Sequence, residues 1–319
     1  MKDTAYAFAV GSVRARENAL LTREELTSLV TVRDEKELLR RLGEKGYLNA
    51  AGEPDFSRRA AETWAYIENL LPDKRVFDPV LILNDFHNLK VLVKALIAER
   101  DPAPMFLSPS LYDPNDLKAA VFARENDKLP ERLRHAHRSA YRILTKTGFS
   151  QLADSVVDRA ALENSMALAR EYGDGTLIRY TEAYAAAADL RVFVRCIAAG
   201  KEKSFMNRAV AETPLFDKTA ALDAAGEGLP ALLDLLASTA LSPLAQALRE
   251  KDPAFEAKCD AFAAKTLDAG RSDAFGVAPV LRYYLRAGEE IRNLRSLLTG
   301  KLNNLPEETI RERMRLGYV

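Results

Sequence analysis

The sequence has few of the residues that build metal centres and disulfide frameworks. Of its 319 residues, two are cysteine and three are histidine. Two cysteines cannot form a disulfide framework, and the spacing of Cys196 and Cys259 does not resemble that of zinc ligands. His135 and His137 would point about 200° apart on a helix, so they are not expected to share a metal ion. We therefore predict neither a metal site nor a cofactor.

The sequence also lacks an excess of either charge and any long apolar run. Lys and Arg together number 46, as do Asp and Glu, so the formal net charge is zero. Proteins that hold nucleic acid by counterion release normally carry a basic excess, so nucleic acid is not expected as a main partner. No apolar run approaches the roughly 20 residues that cross a bilayer, and the N-terminus lacks the features of a signal peptide. These absences predict a cytoplasmic protein.

The motifs of common catalytic and nucleotide-binding sites are missing as well. There is no GxxxxGK[ST] phosphate loop, no GxGxxG dinucleotide fingerprint and no GxSxG nucleophile turn. Lys301 comes at the end of an expected helix, where a cation is favourable but a phosphate is not. Trp64 and the pair Tyr283-Tyr284 fit core packing better than a base-stacking platform. We predict no catalytic residues and no direct nucleotide binding, and hence a structural or interaction role.

Helix signals, in contrast, run along the whole chain. Only 15 residues are glycine, and strong helix formers fill the stretches between turns. Several prolines directly follow a capping residue, as at the first position of a helix: Asp78-Pro79, Asp113-Pro114, Thr213-Pro214, Ser242-Pro243 and Asp252-Pro253. Thr22 and Glu25 have the spacing of a capping box. The apolar residues 80–83 continue with a period of 3.6, so a helix is favoured over a strand there. We predict an all-α protein of roughly fifteen helices joined by short connections.

The sequence also repeats itself at an interval of 101 residues. Three segments align without gaps: 88–98 (NLKVLVKALIA), 189–199 (DLRVFVRCIAA) and 290–300 (EIRNLRSLLTG). Each begins with a polar residue, an aliphatic residue and a base, and its apolar residues return along one helical face. Arg295 breaks the pattern, since the first two copies have valine there. Any three amphipathic helices look somewhat alike, but amphipathicity does not require equal spacing.

Repeats of this length predict three similar helical subdomains. Solenoid repeats are much shorter, so we place the subdomains at residues 1–105, 106–206 and 207–319, able to close into a ring or funnel with pseudo-threefold symmetry. The bases that recur in the repeat, Lys90, Arg191 and Arg292, are candidate contacts with a partner. In the alternative interpretation, each of them pairs with an acid across a subdomain boundary.

Two blocks of sequence resemble a known family. Residues 6–21 (YAFAVGSVRARENALL) are similar to the N-terminus of the C subunit of bacterial and archaeal V-type (V/A-type) ATPases, the counterpart of the d subunit of vacuolar ATPases. Residues 283–301 (YYLRAGEEIRNLRSLLTGK) resemble that family's acidic–Ile–x–Asn–Leu–Arg segment followed by Gly-Lys. Residues 305–310 (LPEETI) also fit the family pattern.

The resemblance implies a non-catalytic funnel in the central stalk of a rotary ATPase. Shaft subunits D and F would enter its cavity, and its base would sit on the membrane proteolipid ring. The subunit would then transmit torque between proton or sodium transport and ATP hydrolysis or synthesis. It would be peripheral to the membrane and would have no catalytic residues of its own.

Two other functions remain open on sequence grounds. One is an all-helical scaffold or adaptor unrelated to ATPases, which the neighbouring genes would distinguish. The other is an all-α enzyme whose site is assembled from scattered acids and arginines. A closed pocket of about 300–1,000 Å³ with converging polar groups would favour the enzyme.

Overall fold

The computed structural model describes residues 5–268, 270 and 273–314, and helices follow one another along these ranges. Its α-helices, numbered in chain order, are α1 Ala7–Glu17, α2 Arg23–Thr31, α3 Glu35–Glu44, α4 Phe56–Leu70, α5 Asp78–Ala98, α6 Pro114–Phe122, α7 Glu131–Thr147, α8 Ser150–Tyr172, α9 Gly175–Ala198, α10 Lys203–Ala209, α11 Lys218–Glu227, α12 Leu229–Leu236, α13 Ser242–Arg249, α14 Phe255–Asp268, α15 Ala278–Leu302 and α16 Glu307–Arg313. Short 3₁₀ turns lie at Lys74–Phe77, Ala103–Met105 and Asn126–Lys128. One isolated antiparallel bridge joins Leu48 to Pro54. The prediction of an all-α fold is confirmed, including the helical state of residues 80–83.

The helix starts show where local sequence signals decide the structure. Asp113 caps α6, and its carboxylate accepts a hydrogen bond from the backbone N–H of Asn115 at 2.8 Å. At the start of α2, both hydrogen bonds of the capping box form between Thr22 and Glu25.

The prediction of a helix start at Thr213-Pro214 is wrong. The next helix, α11, begins at Lys218, where the carboxylate of Asp217 accepts from the backbone N–H of Ala220 at 2.7 Å. The Thr213 hydroxyl instead accepts from Leu215 in a turn. Asp217 satisfies a backbone donor of the first helical turn, so the helix begins there and not at the proline.

The chain folds into two compact units. Unit 1 comprises residues 1–74 and 252–319, and unit 2 comprises residues 75–251. In unit 1 the long helix α15 packs against α1, α2, α4, α14 and α16. In unit 2 the long helix α8 packs against α5, α7, α9 and α10. Each unit is therefore organised around one long central helix.

Aromatic packing in unit 1 agrees with the sequence analysis. The Trp64 ring on α4 lies edge-on to the Tyr284 ring on α15, with the centroids 5.9 Å apart. Tyr283 is buried. These rings are part of the core and do not form a stacking platform.

No described helix is both long and apolar enough to cross a membrane. The boundaries of the three repeats stay a prediction, because compactness and internal repetition divide a chain by different criteria.

Candidate functional site

The three repeated segments occupy the same part of three long helices. They lie in the C-terminal halves of α5, α9 and α15. Their first two apolar positions are buried in every copy: Leu89, Leu190 and Ile291, then Leu92, Phe193 and Leu294. A weaker similarity at about the same interval relates residues 59–67 (RAAETWAYI), 159–167 (RAALENSMA) and the alanine-rich segment 259–267. These segments fall on α4, α8 and α14, the helices that precede the three repeat helices. The segments that repeat in the sequence therefore lie at corresponding places in three helix pairs of the fold.

The polar residue that opens each repeat is buried and hydrogen-bonded to a loop. In the first repeat, the Asn88 side chain accepts from the backbone N–H of Leu107 at 2.7 Å. It also donates to the Leu107 carbonyl oxygen at 3.0 Å. The amide of Asn88 thus pairs with both backbone groups of one residue, and Asn88 itself is fully buried.

The second repeat uses a carboxylate for the same purpose. Both oxygens of Asp189 accept from the backbone N–H of Ala211, at 3.1 and 3.2 Å. The ammonium of Lys218, at the start of α11, donates to the carbonyl oxygen of neighbouring Val210 at 2.7 Å. Two buried side chains therefore fix adjacent residues of this loop.

In the third repeat the bound loop comes from the N-terminal part of the chain. One oxygen of Glu290 accepts from the backbone N–H of Leu21, and the other accepts from the hydroxyl of Tyr47. All three residues are buried. We call Asn88, Asp189 and Glu290 the loop anchors.

Burial perturbs the titration of the two acidic anchors. Loss of hydration raises the pKa of Asp189 well above its ordinary value, against the opposing effects of the Ala211 N–H and the Lys218 charge. Burial likewise raises the pKa of Glu290, while the Tyr47 hydroxyl and the Leu21 N–H act in the opposite direction. Burying a carboxylate is costly without such donors. The hydrogen bonds to the loops therefore compensate part of the cost of placing these acids in the core.

A fourth buried side chain, that of Asp85, holds the loop after α5. The two oxygens of Asp85 accept from the backbone N–H groups of Leu111 and Tyr112, each at 3.0 Å. Burial raises the pKa of Asp85 to about 6, although both backbone donors lower it. Asp85 lies one helical turn before Asn88, so the two side chains together fix the segment between α5 and α6.

The anchored loops follow one order along the chain. The residue that each anchor holds comes shortly before the start of a helix: Leu107 before α6, Ala211 before α11 and Leu21 before α2. In unit 2, α8 packs on α5, and in unit 1, α4 packs on α15. Glu290 thereby ties a loop near the start of the described chain to α15, near its end.

The Gly-Lys pair at the end of the third repeat has a structural role in unit 1. A Cβ atom on Gly300 would lie 2.7 Å from Cγ1 of Ile310, so only glycine permits this approach of α16 to α15. The Lys301 ammonium donates to the carbonyl oxygens of Val30 and Val32, at 2.8 and 2.6 Å. These carbonyls are at the C-terminal end of α2, where a cation is favourable. The motif thus ties α15 to α2 and α16, near the two ends of the described chain.

The three bases chosen from the sequence have different surroundings. The ammonium of Lys90 forms an ion pair with Asp158 of α8 at 2.5 Å. Arg191 is half-buried on α9, and Arg292 is exposed on α15. Pairing with an acid is thus seen for Lys90, while contact with a partner stays a prediction for all three.

Arg295, the charged residue that breaks the repeat pattern, lies at the protein surface. The guanidinium of Arg295 lies 5.8 Å from the centroid of the Phe56 ring. Val93, its counterpart in the first copy, is buried. The third repeat therefore keeps its helix but exposes this position.

The repeat is recognisable from the sequence, but the residues that make its buried contacts are those at its first position and not the bases predicted from the sequence. From the sequence, the bases at the third position are selected and the polar residue at the first position is assigned no role. The available signal is a polar side chain that recurs at the start of an otherwise apolar helical stripe. The partners of that side chain, such as Leu21 and Tyr47, carry no such signal because they are backbone or distant groups.

Two comparisons with known proteins agree with this architecture. A family model described as the ATP synthase (C/AC39) subunit matches residues 9–313. The chain is also 22% identical over 317 residues to a protein from Enterococcus hirae that is named as the C subunit of a V-type sodium ATPase. That alignment covers 96% of this chain and 97% of the relative.

Proposed function

The chain belongs to the ATP synthase (C/AC39) subunit family, and from this membership we propose that it is the non-catalytic central-stalk socket of a rotary V-type ATPase or ATP synthase. In this role it links the shaft subunits D and F to the proteolipid ring in the membrane. It transmits torque between proton or sodium transport and ATP hydrolysis or synthesis. It is cytoplasmic and attached to the membrane only through the membrane sector of the complex.

The extent of the family match is the observation that carries this proposal. A match from residue 9 to residue 313 includes all three repeats and the loops that they hold. A relative of nearly the same length is named as the C subunit of a V-type sodium ATPase. A chance similarity of one amphipathic helix would not extend over the whole chain.

The loop anchors suit a part that bears mechanical load. Torque transfer needs a body that deforms little, and close-packed helices meet this need. Connections between helices are usually the softest parts of a helical protein. Here three of them are fixed to long helices by buried hydrogen bonds. Pulling such a loop away would leave buried polar groups without partners, which costs about 1–3 kcal/mol per group.

The order of the anchored loops supports three repeats arranged in a closed funnel. We assign the repeats to residues 1–105, 106–206 and 207–319. In a closed arrangement the last repeat must contact the first, and Glu290 and Lys301 make such contacts in unit 1. The funnel would hold the shaft through a broad interface in place of a small set of ligands.

A pocket of about 360 Å³ in unit 2 gives little support to a catalytic role. Its polar side chains are those of Lys201, Glu202, Ser204 and Arg208, and no histidine lines it. Lys201 lies over the rings of Phe149 and Phe205. The Ser204 hydroxyl donates to the Glu202 carboxylate at 3.3 Å, but both residues are exposed to solvent. This is a local surface contact and lacks the third group that orients the base in a catalytic triad.

The proposal is tested by mixing the purified chain with a purified D–F complex. Size-exclusion chromatography with light scattering should show a stoichiometric complex, and the chain alone should not hydrolyse ATP. The same chain should bind detergent-solubilised proteolipid ring. Failure of the folded chain to bind either the D–F complex or the ring would refute the socket role.

A charge reversal tests the candidate contact on α15. Arg292→Glu should weaken binding to the D–F complex or to the ring if this exposed base contacts a partner. Lys265→Glu is a matched control, because Lys265 is an exposed base in the last turn of α14 in the same unit. Equal binding by both variants would remove Arg292 from the interface without affecting the socket assignment.

A further inference from the structure

One face of α7 carries a row of exposed, unneutralised bases. Arg138, Arg142 and Lys146 recur every four residues and are all exposed. At 1.5 Å per residue, consecutive charges in this row are about 6 Å apart along the helix axis. Within the described part of the chain, no acidic side chain forms an ion pair with any of the three. We call these three residues the basic row.

Some other bases of this chain do have acidic partners. On α3, for example, Arg40 pairs with Glu37 and Glu44, and on α8 Arg159 pairs with Glu163. Like charges four residues apart repel each other and destabilise a helix. The row therefore costs some helix stability, in a chain whose formal net charge is zero.

The pocket of unit 2 begins where the basic row ends. Phe149, three residues after Lys146, lines it together with Phe205, Lys201 and Arg208. The Phe149 side chain is 39% exposed, whereas Phe205 is buried. The Lys201 ammonium lies 5.2 Å from the centroid of the Phe149 ring. The row and the aromatic recess are thus close neighbours along the chain, and the recess adds two further cations and one acid, Glu202.

We propose that the basic row and this pocket form a docking surface for an acidic, amphipathic helix of a partner protein. Carboxylates spaced four residues apart on such a helix would face the three bases. A bulky apolar side chain at its end would enter the recess beside Phe149. This combination of one buried apolar anchor and a charged rim is typical of protein interfaces. None of the residues involved belongs to the repeat helices, so the surface is independent of the loop anchors.

An anionic membrane is the less suitable occupant of this face. Helices that bind membranes insert their apolar side between the lipids. The apolar side of α7 is already used, because Leu133, Ala136, Ala140 and Ile143 are buried within the protein. Lipid could then attract only the charges, and it would leave the aromatic recess unfilled.

The test uses the full-length chain and a labelled synthetic helical peptide. The first peptide carries a glutamate at every fourth residue, so that the glutamates share one face, and it ends in a tryptophan. The second peptide is the control: it has the same composition, but its glutamates are distributed around the helix. Fluorescence anisotropy should show binding of the first peptide, weakening between about 50 and 300 mM salt as screening increases. The second peptide should bind about tenfold more weakly, since three exposed ion pairs together are worth about 1.4 kcal/mol, or one factor of ten.

Variants locate the binding on the surface. Arg138→Glu/Arg142→Glu should weaken binding of the first peptide by about tenfold or more, and Ser204→Trp should weaken it by obstructing the pocket. Lys36→Glu/Lys265→Glu, which changes the net charge equally at exposed positions elsewhere, should leave binding unchanged. If the double reversal disturbs the circular dichroism spectrum, Arg142→Gln replaces it.

Three results would overturn the proposal. They are no binding of the patterned peptide, equal binding of both peptides, and equal weakening by the control variant. Co-sedimentation with phosphatidylglycerol vesicles that is lost in Arg138→Glu/Arg142→Glu, together with no peptide binding, would assign the face to lipid. Failure of this test would not affect the socket role, which is tested with the D–F complex and the ring.

Discussion

Replacing Glu290 by alanine should destabilise unit 1 strongly. The side chain accepts hydrogen bonds from the Leu21 N–H and the Tyr47 hydroxyl, and all three residues are buried. Alanine would leave both donors without a partner in the core. Each buried unsatisfied group costs about 1–3 kcal/mol, so the expected loss in the free energy of unfolding is about 2–6 kcal/mol.

Replacement by glutamine separates the hydrogen bonds from the charge. A glutamine amide could accept from the Leu21 N–H and donate to the hydroxyl oxygen of Tyr47. It would also remove the cost of burying a carboxylate, which is the cause of the raised pKa of Glu290. We expect Glu290→Gln to change the free energy of unfolding by no more than about 1 kcal/mol.

Urea denaturation followed by tryptophan fluorescence is the suitable assay. Trp64 is the only tryptophan in the chain. It lies in unit 1, with its ring 5.9 Å from that of Tyr284 on α15, the helix that carries Glu290. The exposed Glu308 on α16 provides a control, and Glu308→Gln should stay within about 0.5 kcal/mol of the wild type. A loss for Glu290→Ala no larger than that for Glu290→Gln would refute the anchoring role.

A comparison of the wild type with Glu290→Gln at several pH values tests the same argument, because the direction of the change in stability can be predicted. Because the pKa of folded Glu290 is raised, the folded state holds the proton more tightly than the unfolded state. The associated stability is present at low pH and is lost as pH rises through the folded pKa. The stability of the wild type relative to Glu290→Gln should therefore decrease as pH rises through that range, and an increase would contradict the burial argument.

Three further changes test other contacts of the two units. Lys301→Met removes two hydrogen bonds to the end of α2 and should cost unit 1 about 1–3 kcal/mol, measured by Trp64 fluorescence. Gly300→Ala should destabilise unit 1 by about 1–3 kcal/mol through its clash with Ile310, and Gly300→Ala/Ile310→Ala should lose less than the sum of the single changes. Asp85 should titrate near its pKa of about 6 in carboxyl NMR, and wild-type stability relative to Asp85→Asn should gain up to about 3 kcal/mol as pH falls from 7 towards 4. An Asp85 pKa at the ordinary value for aspartate would contradict its burial.

The sequence is sufficient to predict the helices and the repeat because both depend on local patterns. The period of 3.6 and the proline and capping signals place α2, α5 and α6. The interval of 101 residues is visible because three helices keep the same buried stripe. Where two local signals compete, as at Thr213 and Asp217, the sequence alone does not show which one starts the helix.

The anchoring contacts cannot be predicted in the same way. Glu290 binds a backbone N–H and a tyrosine hydroxyl more than 240 residues away in the chain. A backbone donor has no sequence signature, and a single glutamate on a helix is most often exposed. Its burial becomes evident only when the packing of α15 against the N-terminal helices is known.

The division of unit 1 between both ends of the chain has a consequence during synthesis on the ribosome. Its first part, residues 1–74, is made before the roughly 180 residues of unit 2, and α15 is made only after unit 2. At about 5–20 residues per second, the first part waits about 10–45 s for α15, its main packing partner. During that time Leu26, Leu29 and Val30, buried in the finished core, have no cover from α15. The nascent chain should therefore depend on chaperones at its N-terminal segment until translation ends, whereas unit 2, being continuous in sequence, can fold as it leaves the ribosome.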